Sequence, residues 1–262
     1  MDLDIDGNAA LVSASSSGLG KASAKALARE GADVLINGRD EARLAAAREE
    51  VEAVADGDVV AQAGDITDPA ETDALVETAV AEFGRLDHLV TSAGGPPSGP
   101  FLETDDDDWQ AAFDLLVMSV VRLARAAEPH LRTGGGTIVT ITSRSVKEAI
   151  DALVLSNAVR MSVIGLEKTL SREFAPEIRA NAVLPGAHET SRIEDLMEQS
   201  IERGEHEDMA EAREAWSEGV PLERIGNPME LGNTVAFLSS PASGYINGAA
   251  IPIDGGSTGS NL

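Results

Sequence analysis

Hydrophobic runs of strand length alternate with segments of helical period along most of this chain. The run AALVSA at 9–14 leads into a helix predicted from about Gly18 to Glu30, and ADVLIN at 32–37 leads into RDEARLAAAREEVEAVA. In the latter, Leu44, Ala47, Val51 and Val54 recur at intervals that place them on one helix face. DVVAQA precedes a helix opened by Pro69, a residue suited to a first turn because it leaves no N–H unpaired. LDHLVTSA predicts the next strand. A long helix follows over about 105–132, and the acids of TDDDDW at its start suit the positive end of a helix dipole. GTIVTITS at 136–143, a helix containing SNAVR, and IRANAVLP at 178–185 continue the alternation. This order predicts the α/β class: a doubly wound, Rossmann-type parallel sheet with helices on both faces, in a single domain over residues 1–262. Residues 187–226 break the rhythm. They are acidic and helix-forming, and they follow a strand end, where the loops of an open α/β sheet line the ligand crevice, so they predict a substrate lid, to be set against a solvated surface excursion.

Composition narrows the classes. Aromatic residues make up only 3% of the chain, so Ala, Val, Leu and Ile must do most of the packing. Asp and Glu total 45 against 20 Lys and Arg, a formal charge of −25, and the acids are spread along the whole chain. With no basic stripe to neutralise phosphates, nucleic acid is not an expected partner. No apolar run reaches the ~18 residues a membrane span needs, and the N-terminal MDLDIDGNAALV lacks the pattern of a secretory signal, so a cytoplasmic location is expected. Cysteine is absent, which excludes disulfides and thiolate metal sites, and no metal is expected. An acidic, Lys-poor surface resembles that of proteins from cells that accumulate salt, since screening at molar ionic strength removes most self-repulsion. A halophilic origin is the expectation.

The first strand runs into SASSSGLGKASAKALA. Strand, Gly-containing turn and helix together form the context for a dinucleotide pyrophosphate, which approaches the backbone at Gly18 and Gly20 and meets the positive helix end. After the second strand stands Arg39. An acid there would bond a ribose 2′-hydroxyl and an Arg suits a 2′-phosphate, so NADP(H) is favoured over NAD(H). A surface role for Arg39, pairing with Asp40 or Glu41, is the competing reading.

These motifs resemble those of short-chain dehydrogenases/reductases, and in general pattern the 3-oxoacyl-acyl-carrier-protein reductases. The resemblance covers essentially the whole chain. The family's T-G-x-x-x-G-x-G falls on Ser13, Ala14, Ser15, Ser16, Ser17, Gly18, Leu19 and Gly20, with Ala14 in place of the first Gly. GDITD places Asp65 and Ile66 at the adenine. TSAGG stands where the family has N-N-A-G, with Ser92, Ala93 and Gly94 along the cofactor. LPGAHET places Pro185, Gly186 and Thr190 near the nicotinamide. PLERIGNPMELG and YINGAAIPIDGG match the C-terminal segments. The resemblance implies a homo-oligomer, tetramer or dimer, and a small-molecule carbonyl or alcohol substrate.

The same resemblance exposes a gap. The family's site uses Asn, Ser, Tyr and Lys. Here Ser143 matches the catalytic Ser, but the Tyr position holds Ser156, the Lys position Arg160 and the Asn position Leu116. The only Tyr is Tyr245, in the C-terminal segment. A serine hydroxyl is a much weaker acid than a phenol of pKa ~10, and an Arg keeps the charge of Lys but does not donate its proton at working pH. Ser143, Ser156 and Arg160 are the catalytic candidates, and Arg160 also a ribose ligand. Lys147 and His188 are alternative acids, to be set against roles as a solvated charge and a lid-surface residue. Arg192, Arg203 and Arg213 in the lid could meet an anion, although acids outnumber them there. The functional expectation is an NADP-dependent oxidoreductase interconverting a ketone and a secondary alcohol by hydride transfer, with a non-standard proton donor. The alternative is an NADP(H)-binding protein without dehydrogenase activity, a sensor or scaffold.

Overall fold

The structure is a computed structural model that describes residues 2–261. Seven strands form one sheet in the order β3-β2-β1-β4-β5-β6-β7, and every neighbouring pair is parallel. They are β1 (Ala9–Val12), β2 (Asp33–Gly38), β3 (Val59–Ala63), β4 (His88–Thr91), β5 (Gly136–Ile141), β6 (Ile178–Pro185) and β7 (Ala250–Ile253). The central strands β1, β4 and β5 are buried along their whole length, as a sheet covered on both faces requires.

One layer of helices comprises α1 (Gly18–Arg29), α2 (Glu41–Glu52) and α9 (Pro228–Ser239). Leu27, Leu44, Val51 and Val235 from these helices pack on Val12, Ile36 and Val139 of the sheet. The opposite layer comprises α3 (Pro69–Phe83), α5 (Ser119–Gly134) and α6 (Val154–Glu173), and it buries Leu75, Leu123 and Leu170 against Leu11, Leu89 and Ile138. α1 and α9 pack closely, since a Cβ at Gly232 would lie 2.4 Å from the Ala22 carbonyl oxygen.

The predicted long helix is present as α4 (Asp106–Phe113), a π-helical turn at Asp114–Met118, and α5 in direct succession. Asp105 and Asp108 close a reciprocal capping box at its start, which gives the acidic run a local structural use. The 187–226 segment forms α7 (Ser191–Glu202) and α8 (Met209–Glu218), which enclose a small core of Ile193, Met197, Ala212 and Ile225. No helix among the described residues is long and apolar enough to cross a membrane.

Candidate active site

The strand order reverses between β1 and β4, and at such a point the loops leaving the carboxyl ends of the strands part to leave a crevice. The chain leaves β1 through Ser13–Ser17, β4 through Ser92–Pro96, β5 through Thr142–Lys147 and β6 through Gly186–Thr190. The sequence-predicted residues of these segments therefore lie along one edge of the sheet.

The first turn is held from within. Ser13 is fully buried; its Oγ donates to the Ser92 carbonyl at 2.7 Å and accepts from the Ser92 N–H at 2.9 Å. Ser15 is equally buried, donating to the Val12 carbonyl and accepting from the Asn37 N–H. Both were expected to touch the cofactor, but their hydroxyls are committed to the frame that shapes the turn. Ala14 has φ +44, in the left-handed region where the family's first Gly would be unstrained. Gly20 is required sterically, since a Cβ there would lie 2.6 Å from the Ala14 carbonyl oxygen.

The start of α1 is open to a ligand. Its N-cap Ser17 makes no side-chain capping bond and its first turn carries no acid, whereas Asp40, Asp68, Asp105, Asp208 and Asn227 each cap their own helix. First-turn N–H donors are thus left for an anion such as a pyrophosphate. A Cβ at Gly94 would meet nothing within 4 Å, so open space adjoins that backbone. Thr190 reaches across, its Cγ2 lying 3.5 Å from the Cβ position of Gly18. These features fit a dinucleotide lying from the α1 N-terminus toward Gly94.

At the adenosine end, Arg39 is 77% exposed and its Nη1 lies 3.7 Å from the Asp65 carboxylate. The pairing expected with Asp40 or Glu41 is replaced by this one, because Asp40 caps α2 by accepting from the Arg43 N–H. Burial works against the charge on Asp65, but the Thr67 N–H and hydroxyl and the Arg39 cation hold its carboxyl below the usual range. Ile66 is buried in the core under β1 and β2. Leu19 packs on the other core layer, so the face it presents is apolar.

The catalytic candidates meet between β5 and α6. Ser143 Oγ accepts from the Ser145 N–H at 3.1 Å in a short turn, and Ser145 Oγ stands 3.4 Å from Ser156 Oγ. Arg160, one helical turn after Ser156, donates from Nε to Ser156 Oγ at 3.1 Å. Its Nη1 donates to the Thr142 carbonyl at 3.2 Å and its Nη2 to the Gly94 carbonyl at 3.3 Å. Ser156 and Arg160 are each only 8% exposed. Burial, and then the like charge of Arg192, push the Arg160 pKa down to about 10. Ser145 was not singled out in the sequence; the S-R-S spacing of Ser143 and Ser145 on a strand exit was the available signal.

Other candidates fall elsewhere. Leu116 sits buried in the π-turn against the α4–α6 packing, so the widened turn carries no polar side chain into the site. Tyr245 is fully exposed near the amino ends of β6 and β7, where Arg179 binds the Ser243 and Ile246 carbonyls; this is the sheet edge opposite the crevice. His188 is not on the surface, as one reading had it. It is 4% exposed, packs against Gly226, and directs Nδ1 at the Gly186 carbonyl, so Nδ1 carries the proton. Burial holds its pKa below the ordinary histidine value. Lys147 is half-buried on the β5 exit, with no ion-pair partner among the described residues. Gly186 donates to the Ile253 carbonyl and approaches Asp254 so closely that a Cβ would lie 2.7 Å away, which brings Pro185 and the β6 exit against β7. Ala93 packs on both adjoining core layers.

A family model described as enoyl-(acyl carrier protein) reductase, within the short-chain dehydrogenases/reductases, matches residues 13–258. The chain is a short-chain dehydrogenase/reductase. This oxidoreductase is 31% identical over 254 residues to the 3-oxoacyl-[acyl-carrier-protein] reductase FabG of Thermotoga maritima, covering 96% of this chain and 98% of that protein. It is similar in structure to L-sorbose reductase of Gluconobacter frateurii complexed with NADPH and L-sorbose, at TM-score 0.93 and 31% identity, covering 99% of this chain and 100% of that one. Actinorhodin polyketide ketoreductase with NADPH superposes with TM-score 0.91 at 29% identity, over 97% of this oxidoreductase and 98% of the other.

Proposed function

We propose that this reductase interconverts a ketone and a secondary alcohol with NADP(H), using Ser156 and Arg160 where the family uses Tyr and Lys. The observation that carries the reading is the hydroxyl cluster of Ser143, Ser145 and Ser156 around the Arg160 guanidinium, beside the open backbone of Gly94. NADPH, which the start of α1 and the Gly94 backbone would hold, would supply the hydride chemistry when bound, and the alkoxide oxygen of the product would need one proton. Ser143 Oγ polarises the carbonyl. Arg160 directs its Nε–H at Ser156 Oγ, which leaves the Ser156 hydroxyl hydrogen for the alkoxide. The guanidinium then stabilises the oxygen left behind until Ser145 or solvent reprotonates it. Arg160 also carries the donors that would hold the ribose hydroxyls.

NADP(H) preference is assigned to Arg39, and the exposure of its guanidinium supports contact with a 2′-phosphate. Residues 187–226 serve as the lid: Arg192 Nη2 donates to the Pro96 carbonyl and Ser98 Oγ to Gln199 Oε1, so α7 is tied to the β4 exit. The test is NADPH oxidation over a panel of ketones in molar KCl, with Ser143→Ala beside the natural sequence. Turnover lost in Ser143→Ala supports the assignment; turnover unchanged removes it. Tight NADPH binding without turnover on any carbonyl would favour a cofactor-binding sensor or scaffold, the reading to which the replaced Tyr and Lys positions also lend weight.

A further inference from the structure

Arg160 and Arg192 approach the same short backbone segment from two elements, and among the described residues neither forms an ion pair with a carboxylate. Arg160 donates to the Gly94 carbonyl, and Arg192, in the first turn of α7, donates to the Pro96 carbonyl. The Arg192 guanidinium lies against Gly95, its Nε 2.9 Å from where a Cβ would stand. A guanidinium has five N–H donors. Arg160 spends three bonds on Ser156, Thr142 and Gly94, and Arg192 one on Pro96, so both keep donor capacity. The acid whose charge Arg192 feels is the exposed Asp195, with which it makes no ion pair among the described residues.

The other arginines without an ion pair among the described residues sit differently: Arg29, Arg43, Arg125 and Arg172 are exposed, and Arg144 is half-buried on the β5 exit. Half-buried Arg179 also lacks an acid, but four carbonyls, of Leu238, Ser240, Ser243 and Ile246, take its donors. In the 187–226 segment, Arg203 pairs with Glu205 and Arg213 with Glu189, both on the surface. Only Arg192 of these three turns inward. In a molecule with 45 acidic residues, two adjacent guanidiniums without a carboxylate make a local positive site in a negative field. Desolvated like charges are costly unless a counter-charge joins them, and a carboxylate or phosphate matches the fork geometry of both.

We propose that the substrate is an anionic ketone, an oxo acid or keto phosphate, whose anionic oxygens bind between Arg192 and Arg160 while its carbonyl faces Ser143. The inference deepens the oxidoreductase reading and rests on it for turnover. The cofactor would not neutralise this pair: its pyrophosphate is assigned to the uncapped start of α1, and the ribose hydroxyls assigned to Arg160 are uncharged.

The test pairs acetoacetate with ethyl acetoacetate, and dihydroxyacetone phosphate with dihydroxyacetone. NADPH oxidation is read for each, and in parallel the thermal midpoint with NADP+ and each compound, which needs no turnover. The expected result is a kcat/KM ratio of anion to neutral partner well above one, falling about 10- to 100-fold in Arg192→Gln and partly restored in Arg192→Lys, as loss of a charge-assisted hydrogen bond implies. Whichever pair shows the ratio separates carboxylate from phosphate. Midpoint shifts from the anions, lost in Arg192→Gln, without turnover would keep the anion site and defeat the dehydrogenase reading. Turnover with ratios near one overturns the proposal and leaves that reading standing. An Arg192→Gln variant that weakens NADPH binding about tenfold at an unchanged ratio also overturns it, by assigning Arg192 to the cofactor. Absence of both turnover and anion-dependent shifts overturns it outright.

Discussion

In the proposed reaction, Ser156 and Arg160 would keep the geometry of the family's acid and cation while changing their chemistry. They are one helical turn apart on α6, and the bond between them reproduces the contact of an acid with a flanking cation. The acid is weaker by several pKa units than a phenol, so the Ser156→Tyr/Arg160→Lys double variant should raise kcat on a suitable ketone, by about 100- to 10,000-fold if proton delivery limits the rate; a rate at or below that of the natural sequence would place the limiting step elsewhere. Glu167 makes a second residue-level prediction. It lies on α6 beneath the sheet, accepts from the Thr140 hydroxyl, and leaves Oε2 without a partner among the described residues. Burial pushes its pKa up to about 8, well above the unfolded value. The folded state therefore holds a proton that the unfolded chain releases, and stability should be greatest below the ordinary carboxylate pKa and fall as pH rises through about 8. Glu167→Gln keeps the acceptor for Thr140 and should flatten that dependence in denaturant titrations between pH 5 and 8.5. An unchanged slope would mean Glu167 is ionised in the fold.

At the scale of elements, α2, α3, α4, α8 and α9 are capped by their own Asp or Asn, while α1, α5, α6 and α7 have no side-chain cap; of these four, α1 and α7 start directly after strand exits at the crevice. The turn before α1 also carries strain at Ala14, whose positive φ costs an L-residue about 1 kcal/mol. Ala14→Gly should therefore raise stability by at most about 0.5 kcal/mol after the entropy a glycine loses on folding is counted, seen as a slightly higher denaturant midpoint at constant m-value. The element pattern was legible in advance because alternating apolar runs and helical periods report local burial. The π-turn was not, since DLLVM reads as ordinary helix and the extra residue in the turn follows from the packing of Leu116 and Val117 against α6.

For the whole molecule, the formal charge of −25 is the dominant fact. The Debye length falls from about 10 Å at 0.1 M salt to about 3 Å at 1 M, so the thermal midpoint should rise markedly from dilute buffer to molar KCl; an equal midpoint in both would dismiss the halophile expectation. Exposed Phe101, Phe113 and Met161 around the α4–α6 layer accord with the expected homo-oligomer, which light scattering in high salt should report as a multiple of 27.2 kDa. By itself the sequence determined the fold class, because residue order and the period of apolar positions set strands against helices, and the resemblance of its motifs pointed to the family; the phosphate turn and the roles of Leu116, Ser156 and Arg160 are expectations that the proposed experiments test. Only the tertiary structure decided which polar groups face the crevice and which are consumed by the frame. Ser13, Ser15 and His188 turned out to be internal struts, Ser145 joined the hydroxyl cluster, and Arg192 parted from Arg203 and Arg213 to meet Arg160. Those assignments depend on contacts between segments up to a hundred residues apart, and spacing along a chain carries no record of where a side chain finds its hydrogen bonds.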